Sequence, residues 1–187
     1  MDQRPSRPGP GILFVMPAWP VLCTERLQLE PLSAADFRPL RTLFSREPVR
    51  RFLLDGQVPD DDWVTGVIAD SAADFERREL GLWTAREHGE AAWCGLVGYR
   101  DFHDPPLEEL VYALEPEACG KGFATEMASA VIDHAFELGR QRISASVDLP
   151  NEDSNRVLRG LGFSEVRREP CPPGCSWDQI HWELVRK

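Results

Sequence analysis

The sequence predicts a mixed α/β (α+β) domain, in which helices pack against a sheet of parallel and antiparallel strands. Polar and apolar residues alternate in several short segments, among them 26–30 and 143–149, as is typical of half-buried strands. Between these segments, apolar residues recur three to four positions apart, which indicates helices. A strand, a helix and a strand follow one another over 107–149, and this order implies a parallel pair joined by a right-handed crossover.

The N-terminal half is predicted to hold one strand, two helices and a hairpin. Ser33 and Asp36 resemble a capping box that opens the first helix. In the second helix, Trp63, Val67 and Phe75 lie at helical spacing. The predicted order is a strand at 26–30, a helix from 33 to about 44, a loop over 45–62, a helix over 63–79, and strands near 81–87 and 92–102 joined by a turn at 88–90.

The C-terminal half alternates strands and helices. Gly139 and Gly162 each follow an apolar helical pattern, and glycine commonly ends a helix because it adopts left-handed backbone angles. The predicted order is a strand at 107–114, a loop at 115–121, a helix at 123–138, a strand at 143–149, a helix at 152–161, and strands near 163–168 and 179–186.

Composition narrows the class of protein. The 187 residues are 42% hydrophobic and 28% charged, which suits one globular domain; we place it at 21–187, behind a Pro/Gly-rich extension at 1–20. The apolar segment 11–19 is short and broken by Pro17, so we expect neither a membrane span nor a secretory signal, and a cytoplasmic protein. The net charge of −10 disfavours nucleic acid and favours a cationic partner. We expect a monomer or homodimer.

Cysteine usage gives no sign of a disulfide framework or a metal site. The five cysteines are an odd number. Cys171 and Cys175 flank a Pro-Pro-Gly turn, but no second pair of ligands stands at matched spacing for zinc. We therefore expect no metal.

A glycine loop between a strand and a helix is the main candidate for a binding site. Residues 120–125 read GKGFAT. Glycines let main-chain N–H groups turn toward an anion, and a helix N-terminus adds partial positive charge, so this loop suits a diphosphate. Lys121 is one of only two lysines in the chain.

Four interpretations of this loop compete. The Walker A spacing is absent, and a dinucleotide-binding fingerprint would need Gly or Ala at Thr125 and an acidic strand end further on. The acetyltransferase loop, [QR]-x-x-G-x-[GA], matches at Gly122 and Ala124, but Cys119 replaces the usual Arg or Gln. The fourth interpretation is a turn whose glycines serve packing alone.

Three further segments extend the acetyltransferase match. Residues 109–116 (ELVYALEP) resemble the E-[IL]-[GV]-Y-x-[LI]-x-P strand of the GNAT acetyltransferases. Residues 151–163 (NEDSNRVLRGLGF) are similar to the N-x-x-S-x-x-[VL]-L-x-x-[LN]-G-F segment of the branch that contains the ribosomal-protein alanine N-acetyltransferases, and 24–29 (TERLQL) to its T-x-R-L-x-L opening. The resemblance covers residues 24 to about 186.

This resemblance implies a GNAT-like acyl-CoA N-acyltransferase fold, a seven-stranded mixed sheet that splays open between strands 107–114 and 143–149. It implies an acetyl-CoA cosubstrate whose pantetheine arm lies in the splay and whose diphosphate binds the N–H groups of 120–125. The implied cofactor-binding residues are Val111, Ala113, Gly120, Lys121, Gly122, Phe123, Ala124, Thr125, Asn151 and Ser154.

Acetyl transfer to an amine needs a base, a polarised carbonyl and an acid. Glu109 matches the family position from which the base is often drawn, with a solvated strand-end carboxylate as the alternative; Glu108 faces the other way. The tyrosine acid of many members is replaced by Leu158. Ser154 is the best substitute, although it is also a first-turn helix residue behind Asn151 as N-cap. Tyr112 and His134 fit core positions.

The acceptor pocket is expected to involve the 45–63 loop, the strand end at 100–104 and the turn at 171–175. Trp63, Phe102 and Trp177 are candidates to wall it. Asp60–Asp62 is either an attractant for a cation or a solvated charge run.

We therefore predict an acetyl-CoA-dependent N-acetyltransferase that acts on a primary amine, either a protein N-terminus or a small molecule. A non-catalytic acetyl-CoA-binding module is the alternative, because Cys119 and Leu158 depart from the family pattern. A nucleotide-binding protein that uses the same loop is a weaker alternative.

Overall fold

A single mixed sheet organises the described part of the protein. The computed structural model describes residues 19–90, 92–102, 107–171 and 177–186. Within these ranges the sheet has eight strands in the order β1-β2-β3-β4-β5-β6-β8-β7. They are β1 (Leu22–Cys23), β2 (Leu27–Pro31), β3 (Leu82–Glu87), β4 (Trp93–Phe102), β5 (Leu107–Leu114), β6 (Arg142–Asp148), β7 (Ser164–Glu169) and β8 (Gln179–Val185).

The mixed α/β class is confirmed, and the strand count of seven is one too low. The additional strand is β1, which pairs antiparallel with β2 through Leu22 and Leu29. Two residues are too few to show an alternating pattern, so no sequence pattern indicates this strand.

The described ranges contain five α-helices: α1 (Phe37–Ser45), α2 (Glu47–Leu53), α3 (Asp61–Arg78), α4 (Phe123–Glu137) and α5 (Glu152–Gly160). The prediction of a loop throughout 45–62 is wrong, because α2 occupies its first half. Glu47 and Pro48 occupy its first turn and Arg50 and Arg51 its last, which are favourable positions for these residue types. The helix is too short for a clear apolar period.

The centre of the sheet opens between β5 and β6, as predicted. These strands form the parallel pair, and their ladder consists of one residue pair, Glu109 with Ser144. By contrast, β4 and β5 pair over eight residues, from Gly95–Leu114 to Phe102–Leu107. Beyond Glu109, β5 therefore has no strand partner on its β6 side, and alternate peptide groups of 110–114 face a gap.

Two apolar cores cover the two faces of the sheet. Helix α4 buries Met127 and Val131 against the face that carries Trp83 and Tyr99. Helices α1 and α3 bury their apolar stripes on the opposite face, with Leu96 and Val111. Glu109 belongs to this second face, since side chains two apart on a strand share a side. The positions of α4 and of α1–α3 leave the gap between β5 and β6 accessible.

The chain enters the domain through Trp19 and Pro20. Trp19 stacks on Phe75 with ring centroids 5.0 Å apart, and the carbonyl of Pro20 accepts a 2.8 Å hydrogen bond from Trp83 Nε1. The rest of the predicted 1–20 extension lies outside the described residues. No helix in the described ranges has the length and apolarity that crossing a membrane requires.

Candidate active site

A cavity of about 430 Å³ occupies the gap between β5 and β6. Its walls come from β5, β6, α2, α5 and the start of α4. One cavity therefore contacts both the glycine loop, at Cys119 and Ala124, and the predicted base, Glu109. The splay of the sheet brings together two sequence motifs that lie on different elements.

The glycine loop has the backbone shape of an anion site. Gly120 and Gly122 have φ of 76° and 82°, a left-handed conformation that side chains disfavour. A Cβ on Gly120 would meet only open space. In the part of the chain that the structure describes, the main-chain N–H groups of 120–125 donate to no protein acceptor, whereas Glu126 N donates to Gly122 O at 3.1 Å. The loop thus presents bare donors at the N-terminus of α4.

An ion pair between Arg26 and Glu126 fixes this loop to the start of β2. Glu126 accepts from Thr24 Oγ1 at 2.5 Å and from Arg26 Nε at 2.7 Å. Arg26 Nη1 in turn donates to Lys121 O at 2.9 Å, and its guanidinium lies over the Phe123 ring. Sequence reasoning missed these supports. The only available signal was the Thr-x-Arg opening, which was used for family likeness alone.

The predicted loop residues differ in what they can offer a ligand. Lys121 Nζ lies 3.3 Å from Glu87 Oε1, so its ammonium is directed toward β3. Phe123 is 2% exposed and can contribute only its main chain. Ala124 lines the cavity and Thr125 is exposed.

The β5 residues form the opposite wall. Val111 and Ala113 are buried and line the cavity. Between them, the Tyr112 hydroxyl donates to Ser154 O at 3.1 Å, which ties β5 to α5. Burial raises the pKa of Tyr112 to about 12, although the hydrogen bond to Ser154 opposes it. Tyr112 is therefore a neutral structural donor at physiological pH.

Helix α5 places Asn151 and Ser154 at the cavity. Asn151 is the N-cap, and its side chain accepts from Ser154 N at 3.3 Å. Ser154 also lines the cavity, and its Oγ has no hydrogen-bond partner within the described ranges. Leu158 is fully buried, so the position of the family's tyrosine serves the core. The Cys119 thiol has a raised pKa because of burial and of nearby Asp153 and Glu117, which keeps it neutral.

Glu109 is 3% exposed, which excludes the solvated strand-end alternative. Its carboxylate accepts a 2.6 Å hydrogen bond from Ser146 Oγ, and Ser146 Oγ lies 3.0 Å from His181 Nδ1. Glu108 faces the other side of the sheet, as predicted, and pairs with Arg140 and Arg78. Neither Ser146 nor His181 was predicted from the sequence.

Helix α2 and the end of β4 also line the cavity. Phe102, a predicted wall residue of the acceptor pocket, lies there together with Phe52 and Asp55. Burial raises the pKa of Asp148, and nearby Asp55 raises it further, while a hydrogen bond from Gln179 lowers it. The carboxyl groups of Asp55, Asp148 and Asp153 thus all line the cavity.

Two other predicted wall residues, Trp63 and Trp177, do not line this cavity. Trp63 packs edge-on against Phe44 at 5.2 Å. Asp60 caps α3 through Trp63 N and Asp61 pairs with Arg41, so these two carboxylates are used locally. The strand end at 103–106 and the turn residues 172–176 lie outside the described residues.

The described residues contain no group of three or more His, Cys, Asp or Glu side chains that could hold a metal ion. Cys171, the described member of the Cys171/Cys175 pair, accordingly belongs to no such group.

Comparisons with known proteins agree with the geometry. The family model for the acetyltransferase (GNAT) domain matches residues 26–164. The N-acetyltransferase YoaA of Bacillus subtilis is 28% identical over 173 residues, which cover 90% of this chain and 98% of that protein. These matches place both the glycine loop and the β5 motif inside the family domain.

Solved structures share the fold. An acetyltransferase from Agrobacterium tumefaciens has a TM-score of 0.74 at 27% identity, covering 89% of this chain and 95% of that one. A ribosomal L7/L12 alpha-N-protein acetyltransferase in complex with coenzyme A has a TM-score of 0.72 at 16% identity, covering 89% and 97%. The predicted N-acetyltransferase class is confirmed, and the predicted resemblance to the ribosomal-protein branch has a counterpart among these structures. The chain belongs to the GNAT acetyltransferase family.

Proposed function

We propose that this acetyltransferase transfers the acetyl group of acetyl-CoA to a primary amine by direct attack inside the cavity between β5 and β6. The observation that carries the proposal is that this cavity contacts two complementary features, a loop of bare main-chain donors and a buried carboxylate. The first suits the paired phosphates of the coenzyme, and the second suits proton removal from an amine.

Two features of the glycine-loop end of the cavity, called the donor end from here on, support coenzyme binding there. The N–H groups of 120–125 are unpaired within the described residues, and the open space at Gly120 admits a phosphate close to the main chain. Peptide groups of β5 beyond Glu109 face the gap, and in that position they can hydrogen-bond the pantetheine arm. N–H groups near Val111 and Ala113 would polarise the thioester carbonyl.

Glu109 is the proposed general base. An alkylamine is largely protonated at neutral pH and must lose a proton before it attacks. In the proposed reaction the ammonium first loses a proton to Glu109, directly or through water, and the neutral nitrogen then bonds to the carbonyl carbon as the bond between carbon and sulfur breaks. Ser154 Oγ, at the cavity wall near the start of α5, is proposed to pass its proton to the departing thiolate and to regain one from the nitrogen, which loses its second proton as the amide forms.

The acceptor enters between α2 and the end of β4. Apolar side chains at Phe52 and Phe102 and carboxylates at Asp55 and Asp148 line this end, a combination that favours a cation carried on an apolar body. A basic small molecule and a peptide N-terminus both meet this description.

We further propose that residues 21–187 act as a single domain in the cytoplasm, as a monomer or homodimer. The docking of Trp19 and Pro20 onto the core supports a boundary near residue 20. Dilute-solution scattering of the full chain and of a variant lacking residues 1–18 would measure both mass and compactness.

A thiol-release assay tests the proposed activity. Purified full-length protein with acetyl-CoA is offered primary amines and unblocked peptides, and the same peptides with acetylated N-termini serve as controls. We expect thiol release that depends on a free amine, with the acetylated product found by mass spectrometry. Coenzyme binding without turnover across the whole panel would instead support the non-catalytic module.

A further inference from the structure

A row of polar side chains lies on β6, β8 and β7, on the same face of the sheet as Glu109. Register places Ser146 beside His181 and His181 beside Arg167. Paired residues of neighbouring antiparallel strands point to the same face. The row therefore begins at Glu109 in the cavity and runs toward the edge of the sheet.

Hydrogen-bond distances make this row continuous. Ser146 Oγ lies 2.6 Å from Glu109 Oε1 and 3.0 Å from His181 Nδ1. His181 Nε2 then lies 3.0 Å from Glu169 Oε2. The side chain of His181 is 10% exposed, and that of Glu169 is 45% exposed. The row thus connects a buried carboxylate to solvent through one hydroxyl and one imidazole.

We infer that Ser146 and His181 are positioning residues for Glu109 and together form the path by which the amine's proton leaves the cavity. This inference rests on the proposed role of Glu109 as base. The cavity that Glu109 faces also holds the coenzyme in our proposal, so a separate exit for the proton keeps the two from competing. A serine hydroxyl both accepts and donates, and an imidazole has two nitrogens on opposite sides, so each group can pass a proton onward.

The protons balance at each step. In the proposed relay, Ser146 first donates its hydroxyl proton to the Glu109 carboxylate, and His181 starts in the tautomer with Nε2–H toward Glu169, so that its unprotonated Nδ1 faces Ser146 as the next acceptor. After Glu109 receives the amine's proton, it donates to Ser146 Oγ, and Ser146 passes its own proton to His181 Nδ1. His181 is then a cation, and it returns to neutrality by losing the Nε2 proton to solvent beside Glu169. Proton exchange with solvent then moves the remaining proton from Nδ1 back to Nε2 before the next turnover.

Charged neighbours surround this path. Arg167 Nη2 lies 3.3 Å from His181 Nε2 and 2.8 Å from Glu169 Oε2, so it moderates the attraction between imidazolium and carboxylate. Arg100 is the cross-strand neighbour of Glu109, and it pairs with Asp70 at 3.6 Å. The other charged groups that face this side from β6 and β8 are Asp148, Arg142 and Glu183, and the last two pair with each other at 3.0 Å.

Kinetics of four variants test the inference. Ser146→Ala removes the hydroxyl, Ser146→Thr keeps it, and His181→Asn keeps an acceptor oxygen toward Ser146 but has no ring to pass a proton onward. Ser144→Ala is the matched control, because Ser144 shares the strand and the face but has no side-chain bond to Glu109 within the described ranges. We expect Ser146→Ala to lower kcat by about tenfold or more, since a hydrogen bond to a charged group is lost, with KM for acetyl-CoA within about twofold.

Rescue experiments distinguish a proton relay from a role that only positions Glu109. Ser146→Thr should regain most of the lost kcat. Imidazole added to the buffer should restore part of the kcat of His181→Asn and none of that of Ser146→Ala. The inference would be overturned if Ser146→Ala and His181→Asn were as active as Ser144→Ala while Glu109→Gln still lost activity. That result would leave the proposed function unaffected.

An NMR experiment tests the same inference without an amine acceptor. Nitrogen NMR of histidine-labelled full-length protein reports the bonding of each ring nitrogen, and His181→Asn identifies the His181 signals among the four histidines. We expect the Nδ1 signal to shift in Ser146→Ala and in Glu109→Gln but not in Ser144→Ala. Unchanged His181 signals in Ser146→Ala would show that the row is not coupled, whatever the amine assay finds.

Discussion

The two ends of the cavity are built in different ways. The donor end consists of main-chain N–H groups from six consecutive residues, 120–125, at the start of one helix. The base end consists of side chains from β5, β6 and β8, which are Glu109, Ser146 and His181. A local segment can encode the first end on its own, whereas the second exists only after the sheet has assembled in the correct register.

This difference predicts that the two ends of the cavity respond to different kinds of substitution. The donor end depends on positive φ at Gly120 and Gly122, so it should respond to substitutions that strain the backbone. The base end depends on alternation along the strands, because a shift of one residue would turn Ser146 and His181 to the other face. Four substitutions separate these dependences, and they follow in order of expected effect.

The largest effect is expected at the base end. Glu109→Gln should lower kcat by about 100-fold or more, since a general base contributes roughly that much, while acetyl-CoA affinity stays within about twofold because the donor end is intact. Steady-state kinetics and calorimetric titration measure the two quantities. Glu108→Gln, on the opposite face of the same strand, is the control and should retain kcat within about threefold. Equal losses of kcat and affinity in Glu109→Gln would remove the assignment.

A change at the donor end should reverse this pattern. Gly122→Val places a β-branched side chain at φ of 82°, and it should weaken acetyl-CoA binding by about tenfold or more, given strain of roughly 1–3 kcal/mol and a blocked approach. Gly139→Val is the matched control, since Gly139 has φ of 90° just after the same helix. Both variants should lose thermal stability, but only Gly122→Val should lose affinity. Comparable affinity in the two folded variants would contradict the loop assignment.

The Arg26–Glu126 ion pair, called the clamp from here on, lies behind the glycine loop and should make the free energy of unfolding depend on acid. Burial raises the pKa of Glu126, but hydrogen bonds from Thr24 and Arg26 outweigh it and bring the pKa below its ordinary 4.5. A carboxyl with a depressed folded-state pKa adds stability above its unfolded pKa, and this stability is lost as pH falls through the folded value. The difference in unfolding free energy between wild type and Glu126→Gln should therefore shrink below pH 4.5.

Urea unfolding at several pH values measures that difference. Glu137→Gln is the control, because Glu137 lies in the last turn of the same helix and has no hydrogen bond or ion pair within the described ranges. A difference between wild type and Glu126→Gln that stays constant down to strongly acidic pH would show that the clamp does not depend on the ionised carboxyl.

The smallest effect on kcat is expected at Tyr112, which joins β5 to α5 between the two ends of the cavity. Tyr112→Phe removes one hydrogen bond from β5 to α5 and should cost about 1 kcal/mol of stability, with kcat lowered less than about tenfold because the hydroxyl only holds Ser154 in place. Urea unfolding and steady-state kinetics measure these. A loss as large as that of Glu109→Gln would make Tyr112, and not Ser154, the proton donor to the thiolate.

The sequence predicted the features that depend on neighbouring residues. The glycine loop, the N-cap at Asn151, the turn at 88–90 and the opposite facing of Glu108 and Glu109 all follow from local spacing, and the structure has them. The splay between β5 and β6 was also anticipated, because the family motifs fix where it falls. In contrast, β1 and α2 were missed, since each is too short to develop a period.

The network around Glu109 could not be found from one sequence. Ser146 and His181 lie 37 and 72 positions beyond Glu109 in the chain, and a serine or histidine on an alternating strand carries no sign of its partner. Arg26 and Glu126, 100 residues apart, were missed for the same reason. Burial of Leu158 explains one departure from the family pattern as core packing, while the exposed Cys119 has no structural reason that distinguishes it from the usual Arg or Gln.

A crystal structure of the wild-type protein with acetyl-CoA tests the central claim most directly. The account predicts that the diphosphate accepts hydrogen bonds from the N–H groups of 120–125, and that the thioester lies in the gap between β5 and β6, facing Glu109 and Ser154. Density for the coenzyme outside the gap, or a diphosphate held by side chains away from this loop, would contradict it.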